Sequence, residues 1–208
     1  MKDIHEICKQ YGIQNYTINE DGSIDVNGSV NLFEMCRKLP LKFRNVTGNF
    51  YCGQIGLETL EGSPENVEGS FYCINNELTS LKGSPKVIKG GFYCTSNKLT
   101  SLEDSPSSVG DSFICVFNEL TSLMGITENI GGDIWCYNNK LVSLSGLEKV
   151  KLKGRVFTDY IESVSSFLYK DGPYHNIYGV YSKSEIGDFY VLNKEQYLRN
   201  IKLEQIIS

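Results

Sequence analysis

The chain has 208 residues and a formal net charge of −5, and 40% of its residues are hydrophobic. This mildly acidic charge argues against a general nucleic-acid binder, which usually carries a strongly basic face. No run of about 18 apolar residues occurs, so we expect no membrane-spanning helix. The N-terminus also lacks the apolar stretch of a signal peptide, so we expect the protein to stay in the cytoplasm.

The first 25 residues are predicted to form an N-terminal cap made of a helix and a hairpin. Residues 2–11 can form a short helix with Ile4 and Ile7 on one face. Two short strands, 16–18 and 24–26, flank the turn signal Asp21-Gly22, a pattern typical of a hairpin. The spacing of Val26, Gly28 and Val30 then matches a pattern 20 residues later, so residues 26–45 are predicted to form a shortened first turn.

A motif that recurs every 21 residues dominates the middle of the chain. It begins at Gly69-Ser70-Phe71-Tyr72-Cys73 and recurs from residues 90, 111 and 132, with a partial copy from residue 48. A fixed period of this length predicts a solenoid whose neighbouring turns share one core. Side chains alternate along a strand, so Phe71 and Cys73 should face the interior and Tyr72 should face outward.

Two further columns of equivalent residues predict how each turn bends. Asparagine suits a sharp bend because its amide both donates to and accepts from the backbone. Proline fixes φ and cannot donate to a strand ladder, so its side of the turn should be extended or irregular. The asparagine column is interrupted at Ile55, and the proline column at Thr127. The columns are Asn76, Asn97, Asn118, Asn139 and Pro64, Pro85, Pro106.

The repeat ends near residue 158, after a seventh strand. This strand follows the sixth at a spacing of 22 residues, one more than the usual 21. The solenoid is therefore predicted over residues 26–158, and residues 159–208 form a C-terminal cap or a separate small module. In this tail, Ile161, Val164, Phe167 and Leu168 fit one face of a short helix. Strands are predicted over residues 177–182 and 189–192, and a last helix over residues 193–206.

Five of the seven cysteines occupy one inward strand position. Free cysteine is among the most buried residue types, so this column should form small apolar plugs inside the solenoid. Zinc is the alternative, but the sequence has no Cys-x-x-Cys pair, so we expect no metal site. Cys8 and Cys36 lie outside the column, which consists of Cys52, Cys73, Cys94, Cys115 and Cys136.

The repeat pattern resembles the leucine-rich repeat. It is similar to the short repeat of bacterial effectors, and more similar to uncharacterised leucine-rich-repeat proteins of tailed bacteriophages. In those proteins a segment like residues 16–26 commonly precedes the repeats. The resemblance covers about residues 14–158 and rests on Val67, Gly69, Phe71, Cys73, Asn76, Leu78 and Leu81. It implies a β-rich, right-handed array of about seven turns of 20–22 residues with parallel strands, and a phage protein acting in the host cytoplasm.

The outward strand positions are the candidate docking site, because large aromatic side chains recur there. Tyrosine and tryptophan are enriched among interface hot spots, although a cross-strand ladder that only stabilises the sheet is the alternative. We expect a protein partner on this concave face, with Trp135 as the strongest anchor. The predicted binding residues are Tyr51, Tyr72, Tyr93, Ile114 and Trp135, with Asp133, Tyr137 and Arg155 beside Trp135.

Charge is unevenly distributed along the chain. Residues 46–81 contain five acidic residues and no lysine or arginine, whereas Lys149, Lys151, Lys153 and Arg155 recur at every second position. This pattern predicts an acidic end and a basic end, with the basic run forming a solvated face or an anionic contact.

No arrangement of residues predicts catalysis or a cofactor. The two histidines, His5 and His175, fall in a terminal helix and in a predicted turn, and neither sits in a nucleophile–base pattern. We therefore expect a non-enzymatic protein-binding module, which the resemblance implies would modulate a host defence or transcription protein. Two alternatives remain open: an enzymatic or nucleic-acid-binding module in residues 159–208, and a structural protein of the virion.

Overall fold

The computed structural model describes residues 3–159, 161–171 and 189–192, together with Tyr197 and Arg199. The protein is a β-solenoid, and each turn contributes one short strand to each of two sheets. In chain order the elements are α1 (Ile4–Gln10), β1 (Tyr16–Ile18), β2 (Ile24–Val26), β3 (Val30–Asn31), β4 (Phe43–Val46), β5 (Phe50–Tyr51), β6 (Asn66–Val67), β7 (Phe71–Tyr72), β8 (Val87–Ile88), β9 (Phe92–Tyr93), β10 (Ser108–Val109), β11 (Phe113–Ile114), β12 (Asn129–Ile130), β13 (Ile134–Trp135), β14 (Lys151–Leu152), β15 (Val156–Thr158), β16 (Leu168–Asp171) and β17 (Phe189–Leu192), with 3₁₀ helices at Leu147–Lys149 and Glu162–Phe167.

Sheet A has the order β1-β2-β4-β6-β8-β10-β12-β14, and sheet B has the order β16-β17-β15-β13-β11-β9-β7-β5-β3. Equivalent strands pair in parallel with equivalent residues opposite each other, as in Phe71 opposite Phe92. The predicted parallel solenoid is confirmed, and it makes about six turns between the first and last parallel strands. Sheet A was not predicted as a sheet: the side of the turn expected to be merely extended forms a second ladder, for example Lys89 N donating to Val67 O at 2.9 Å.

Antiparallel strands extend the two sheets at opposite ends of the solenoid. The predicted hairpin is observed: β1 pairs antiparallel with β2 at the start of sheet A. At the other end, β17 pairs antiparallel with β15, and β16 with β17, so they extend sheet B. The carboxylate of Asp159 accepts from Asn138 N at 2.8 Å and Asn139 N at 3.0 Å, where earlier turns use a carbonyl of the next turn. Burial raises the pKa of this carboxyl group.

The tail follows the prediction in part. The predicted strand over residues 189–192 is confirmed as β17. The predicted short helix is a 3₁₀ helix that ends at Phe167, and Leu168 instead begins β16, which was not predicted. The strand predicted over residues 177–182 lies outside the described residues. Of the last predicted helix, the structure describes Tyr197 and Arg199, and both are helical.

The interior is one continuous column of apolar side chains between the two sheets. Rings from successive turns stack, with centroids 5.2 Å apart for Phe50 and Phe71 and 5.8 Å apart for Phe71 and Phe92. Valine or isoleucine from sheet A faces them, as Val67 and Ile88 do, and both are buried. The inward and outward faces of sheet B are therefore assigned correctly by the predicted alternation.

The asparagine column carries the hydrogen bonds of the bend, as predicted. Asn97 Nδ2 donates to the carbonyl groups of Cys73, Cys94 and Thr95 at 3.0–3.3 Å, and its Oδ1 accepts from Leu78 N at 3.2 Å. The residue before each member of the column has a positive φ, which turns the chain sharply. These left-handed residues are Asn75, Ser96, Phe117 and Asn138, and Gln54 has the same conformation before Ile55, where the column is interrupted.

The five cysteines of the column are completely buried and unpaired. Each Sγ lies 3.3–3.5 Å from a backbone carbonyl oxygen of the next turn, for instance Cys94 Sγ from Ile114 O. Burial raises the pKa of all five thiols, that of Cys136 to about 12. A thiol that stays protonated at neutral pH is a poor nucleophile.

We therefore expect the five thiols to resist alkylation in native buffer and to react only after unfolding. Cys36 is half-buried and provides the internal comparison, because it should be labelled first. The measurement is labelling over time, with each site located by mass spectrometry of peptides. Labelling of the five at the rate of Cys36 would contradict the packed column.

Candidate functional site

The predicted docking column points outward from sheet B, but its exposure falls steeply along the solenoid. Tyr51 is 36% exposed and Tyr72 is half-buried. Tyr93 and Ile114 are buried, and Trp135 is only 5% exposed. The alternation therefore assigned the correct face, whereas exposure is confined to the end nearest the N-terminus.

The tyrosines of this column stack face to face. Ring centroids are 4.7 Å apart for Tyr51 and Tyr72 and 4.5 Å apart for Tyr72 and Tyr93, with interplanar angles of 12° and 7°. A Cβ atom at position 91 would lie 2.7 Å from the Tyr93 ring, so Gly91 lets this ring lie over its own strand. Except for the outer face of Tyr51, the tyrosine ring faces are used within the column, so a ligand meets mainly ring edges and hydroxyl groups. Tyr51 ends the aromatic stack, because its neighbour on β3 is Asn31.

The far end of the column belongs to a second apolar cluster, on the opposite face of sheet B from the interior core. The Trp135 ring stacks on Phe157 with centroids 3.7 Å apart and meets the edge of Tyr137 at 6.2 Å. Tyr72, Ile74 and Phe117 pack against this cluster and are partly buried. Its buried members are Tyr93, Ile114, Val116, Trp135, Tyr137 and Phe157.

This burial corrects the expectation that Trp135 is an exposed anchor outside any core. Trp135, Tyr93, Ile114 and Tyr137 are buried side chains, so they are not available at the surface of this structure. The physical reason is that sheet B packs apolar side chains on both of its faces near this end. Strand alternation separates the two faces but does not determine whether a face is covered.

Asp133 and Arg155 lie beside the second cluster, where they were predicted. Asp133 Oδ1 accepts from Arg155 N at 2.7 Å, and the Arg155 guanidinium lies 3.9 Å from Asp133 Oδ2. The same guanidinium stands 4.7 Å from the centre of the Phe157 ring. Arg155 is thus held at the rim of the cluster by a carboxylate and an aromatic face.

The exposed end of the outer face includes a residue that was not predicted. Phe33 follows β3 at the position equivalent to Gly53, and it is 60% exposed. Its ring meets Tyr11 edge-on, with centroids 5.2 Å apart. Asn49 Nδ2 donates to the Tyr51 hydroxyl at 2.8 Å. We call this surface the aromatic end, and it consists of Asn31, Phe33, Asn49, Tyr51, Tyr72 and Ile74.

The predicted acidic end does not exist as a charged surface, because every one of its five acids pairs with a cation of a neighbouring turn. Glu65 lies 2.9 Å from Lys86, and Glu58 lies 3.3 Å from Arg37. These contacts are exposed, so their contribution to stability is small, but they neutralise the surface. The other pairs are Glu61 with Lys82, Glu68 with Lys89 and Glu77 with Lys98.

The basic run is different, because three of its cations have no such partner. Within the part of the chain that the structure describes, the ammonium groups of Lys149, Lys151 and Lys153 have no carboxylate within ion-pair distance. Lys151 and Lys153 are exposed and flank Leu152 on β14, the last strand of sheet A. The predicted alternation of these cations therefore places positive charge along one edge of a sheet.

Among the described residues, no three His, Cys, Asp or Glu side chains gather in a group that could hold a metal ion. None of the described helices has the length and apolar composition needed to span a bilayer. Comparison with family models, curated proteins and solved structures gave no match.

Proposed function

We propose that this protein is a non-enzymatic binding module that docks a protein partner on the aromatic end. The observation that carries the proposal is the exposure of Phe33 and Tyr51 on a face whose other large side chains are partly or fully buried. Exposed aromatic rings held on a rigid sheet lose little conformational entropy on binding, which makes them good anchors.

The chemistry of the aromatic end favours a protein over other ligands. Its rings lie beside the amides of Asn31 and Asn49, which can hydrogen-bond to a peptide backbone. A sugar would need an open row of ring faces, but the tyrosines of the aromatic end stack in the column and leave only the outer face of Tyr51 without a ring neighbour. A nucleic acid would need positive charge, whereas none of the residues of the aromatic end is a lysine or an arginine.

The resemblance to bacteriophage leucine-rich-repeat proteins supports a more specific form of the proposal. On that basis the partner is a host protein of the cytoplasm, such as a defence or transcription component, and the module modulates it. One fold hosts many functions, and docking on the aromatic end does not depend on this resemblance.

The test compares Tyr51→Ala and Phe33→Ala with Val142→Ala, which removes an apolar side chain that is 70% exposed elsewhere. Proteins retained by the tagged wild-type chain are identified by mass spectrometry, purified and titrated against each variant. We expect Tyr51→Ala and Phe33→Ala each to lower the affinity for the true partner at least about tenfold, as hot-spot truncations do. Val142→Ala should leave affinity unchanged. Equal affinities for all three variants would refute the aromatic end as the docking surface.

A further inference from the structure

Within the described part of the chain, each sheet has one end strand that no hairpin extends, and these two strands differ in charge. Sheet B ends at β3, and sheet A ends at β14. Unpaired strand edges attract other chains, and charged side chains, lysine above all, are the usual protection. Lys151 and Lys153 provide that protection on β14, which accounts for the basic run without a ligand.

No such protection is found on β3. Along residues 29–33 the side chains of Ser29, Asn31 and Phe33 are exposed, and all three are uncharged. The next residue is Glu34, whose carboxylate accepts a hydrogen bond from Gln10 Nε2 at the end of α1. Residues 29–33 of this edge are therefore uncharged and carry an exposed aromatic ring, with the carboxylate of Glu34 directly after them.

The hydrogen-bond pattern of β3 shows which backbone groups remain for a partner. Val30 N donates to Asn49 O and Leu32 N donates to Tyr51 O, both at 2.9 Å, so these residues face β5. In a parallel ladder alternate residues face opposite sides. The N–H and C=O groups of Asn31 therefore point away from β5, toward the open edge of sheet B.

We propose that the partner contributes an extended segment that adds to sheet B beside β3. Its backbone pairs with the N–H and C=O groups of Asn31, and its alternate side chains pack along Phe33 and Tyr51. This inference rests on the proposed function, because it explains how a protein docks on the aromatic end. Pairing of edge strands gives affinity through the main chain, while the side-chain contacts give selectivity.

The occupant is a single strand of another protein and not a second copy of this solenoid. The end of α1 stands beside β3, through contacts of Tyr11 with Phe33 and of Gln10 with Glu34. A second solenoid would bring its own α1 to the same place, whereas one extended segment needs only the width of a strand. The uncharged residues 29–33 further favour a segment without charged residues at its centre.

The test uses linear peptides selected from a random library on the full-length chain, keeping those whose binding Tyr51→Ala weakens. Binding is then measured for Asn31→Pro and Asn31→Ala. Both variants lose the amide side chain, but only proline removes the outward N–H, and proline is tolerated on edge strands. We expect Asn31→Pro to bind at least about tenfold more weakly than Asn31→Ala, because the two variants share the loss of the amide side chain and differ in the outward N–H. Melting temperature controls for folding of both variants.

Other outcomes separate the two proposals. If no selected peptide depends on Tyr51, the proposed function fails. If peptides depend on Tyr51 but bind Asn31→Pro and Asn31→Ala equally, the strand addition fails and the docking surface stands. Should Asn31→Pro not fold, methylation of successive peptide amides replaces it, and losses at every second position are expected. A wild-type chain that is dimeric in sedimentation, and monomeric as Asn31→Pro, would overturn the choice of occupant.

Discussion

Asn118→Ala is expected to lower the free energy of unfolding by about 3 kcal/mol or more. Asn118 is buried, and its Nδ2 donates to the carbonyl groups of Cys94 and Cys115 at 3.1 Å and of Val116 at 3.3 Å. Its Oδ1 accepts from Leu99 N at 3.0 Å. Alanine leaves the Leu99 N–H without a partner in a site that water does not reach, which costs about 1–3 kcal/mol. It also removes one of the two donors of each carbonyl, and each lost hydrogen bond costs about 1 kcal/mol, although Asn97, Asn139 and Ser96 N still donate to them.

The matched control is Asn66→Ala, because Asn66 is an exposed asparagine with one side-chain bond, from Nδ2 to Asn45 Oδ1 at 2.8 Å. Its loss should cost about 0.5 kcal/mol or less. The measurement is urea-induced unfolding of the full chain, followed by far-ultraviolet circular dichroism. If both variants unfold at the same urea concentration, the asparagine column does not hold the bends of the solenoid.

Trp135→Ala should cost about 3–5 kcal/mol of stability, the usual range when a packed aromatic side chain is truncated in a core. The ring is 5% exposed, stacks on Phe157 at 3.7 Å and belongs to the second apolar cluster. Alanine would remove this stack and leave a cavity against Phe157 and Tyr137. The effect is expected although Trp135 lies on the outer face of sheet B.

Tyr51→Ala is the control, because it removes an aromatic ring from the same column at an exposed position. It should cost about 1 kcal/mol or less, since the side chain is already in contact with water. Thermal unfolding of the two variants and the wild type gives the comparison. A Trp135→Ala chain as stable as Tyr51→Ala would show that the second cluster contributes nothing to the fold.

The period of the sequence and the alternation within each repeat were enough to predict sheet B and the interior. Phe71, Cys73 and Asn76 all lie where their repeat positions placed them. Sheet A could not be found in the same way, because Pro64, Pro85 and Pro106 precede its strands and predicted an extended or irregular side of the turn. Its ladder depends on backbone bonds between equivalent residues of stacked turns, which side-chain patterns do not reveal.

The candidate site was predicted less well. The sheet face on which a side chain lies follows from its position in the strand, whereas its exposure depends on what other parts of the chain pack against that face. Tyr51 and Trp135 share a column, but only Trp135 is covered. Phe33 could have been found, since the recognised spacing of 20 residues leads from Gly53 back to it. The ion pairs could also have been predicted, because charged residues 21 positions apart, such as Glu65 and Lys86, lie at equivalent places on neighbouring turns.

The most direct test of the docking surface measures partner affinity and melting temperature together for Tyr51→Ala and Trp135→Ala. The two variants each remove one ring from the same column, so they differ mainly in exposure. We predict that Tyr51→Ala lowers the partner affinity at least about tenfold with little change in melting temperature, as expected for an exposed hot spot. Trp135→Ala should lower the melting temperature and leave the affinity of the folded chain nearly unchanged. The reverse result, with affinity lost through Trp135 and retained without the Tyr51 ring, would contradict the account.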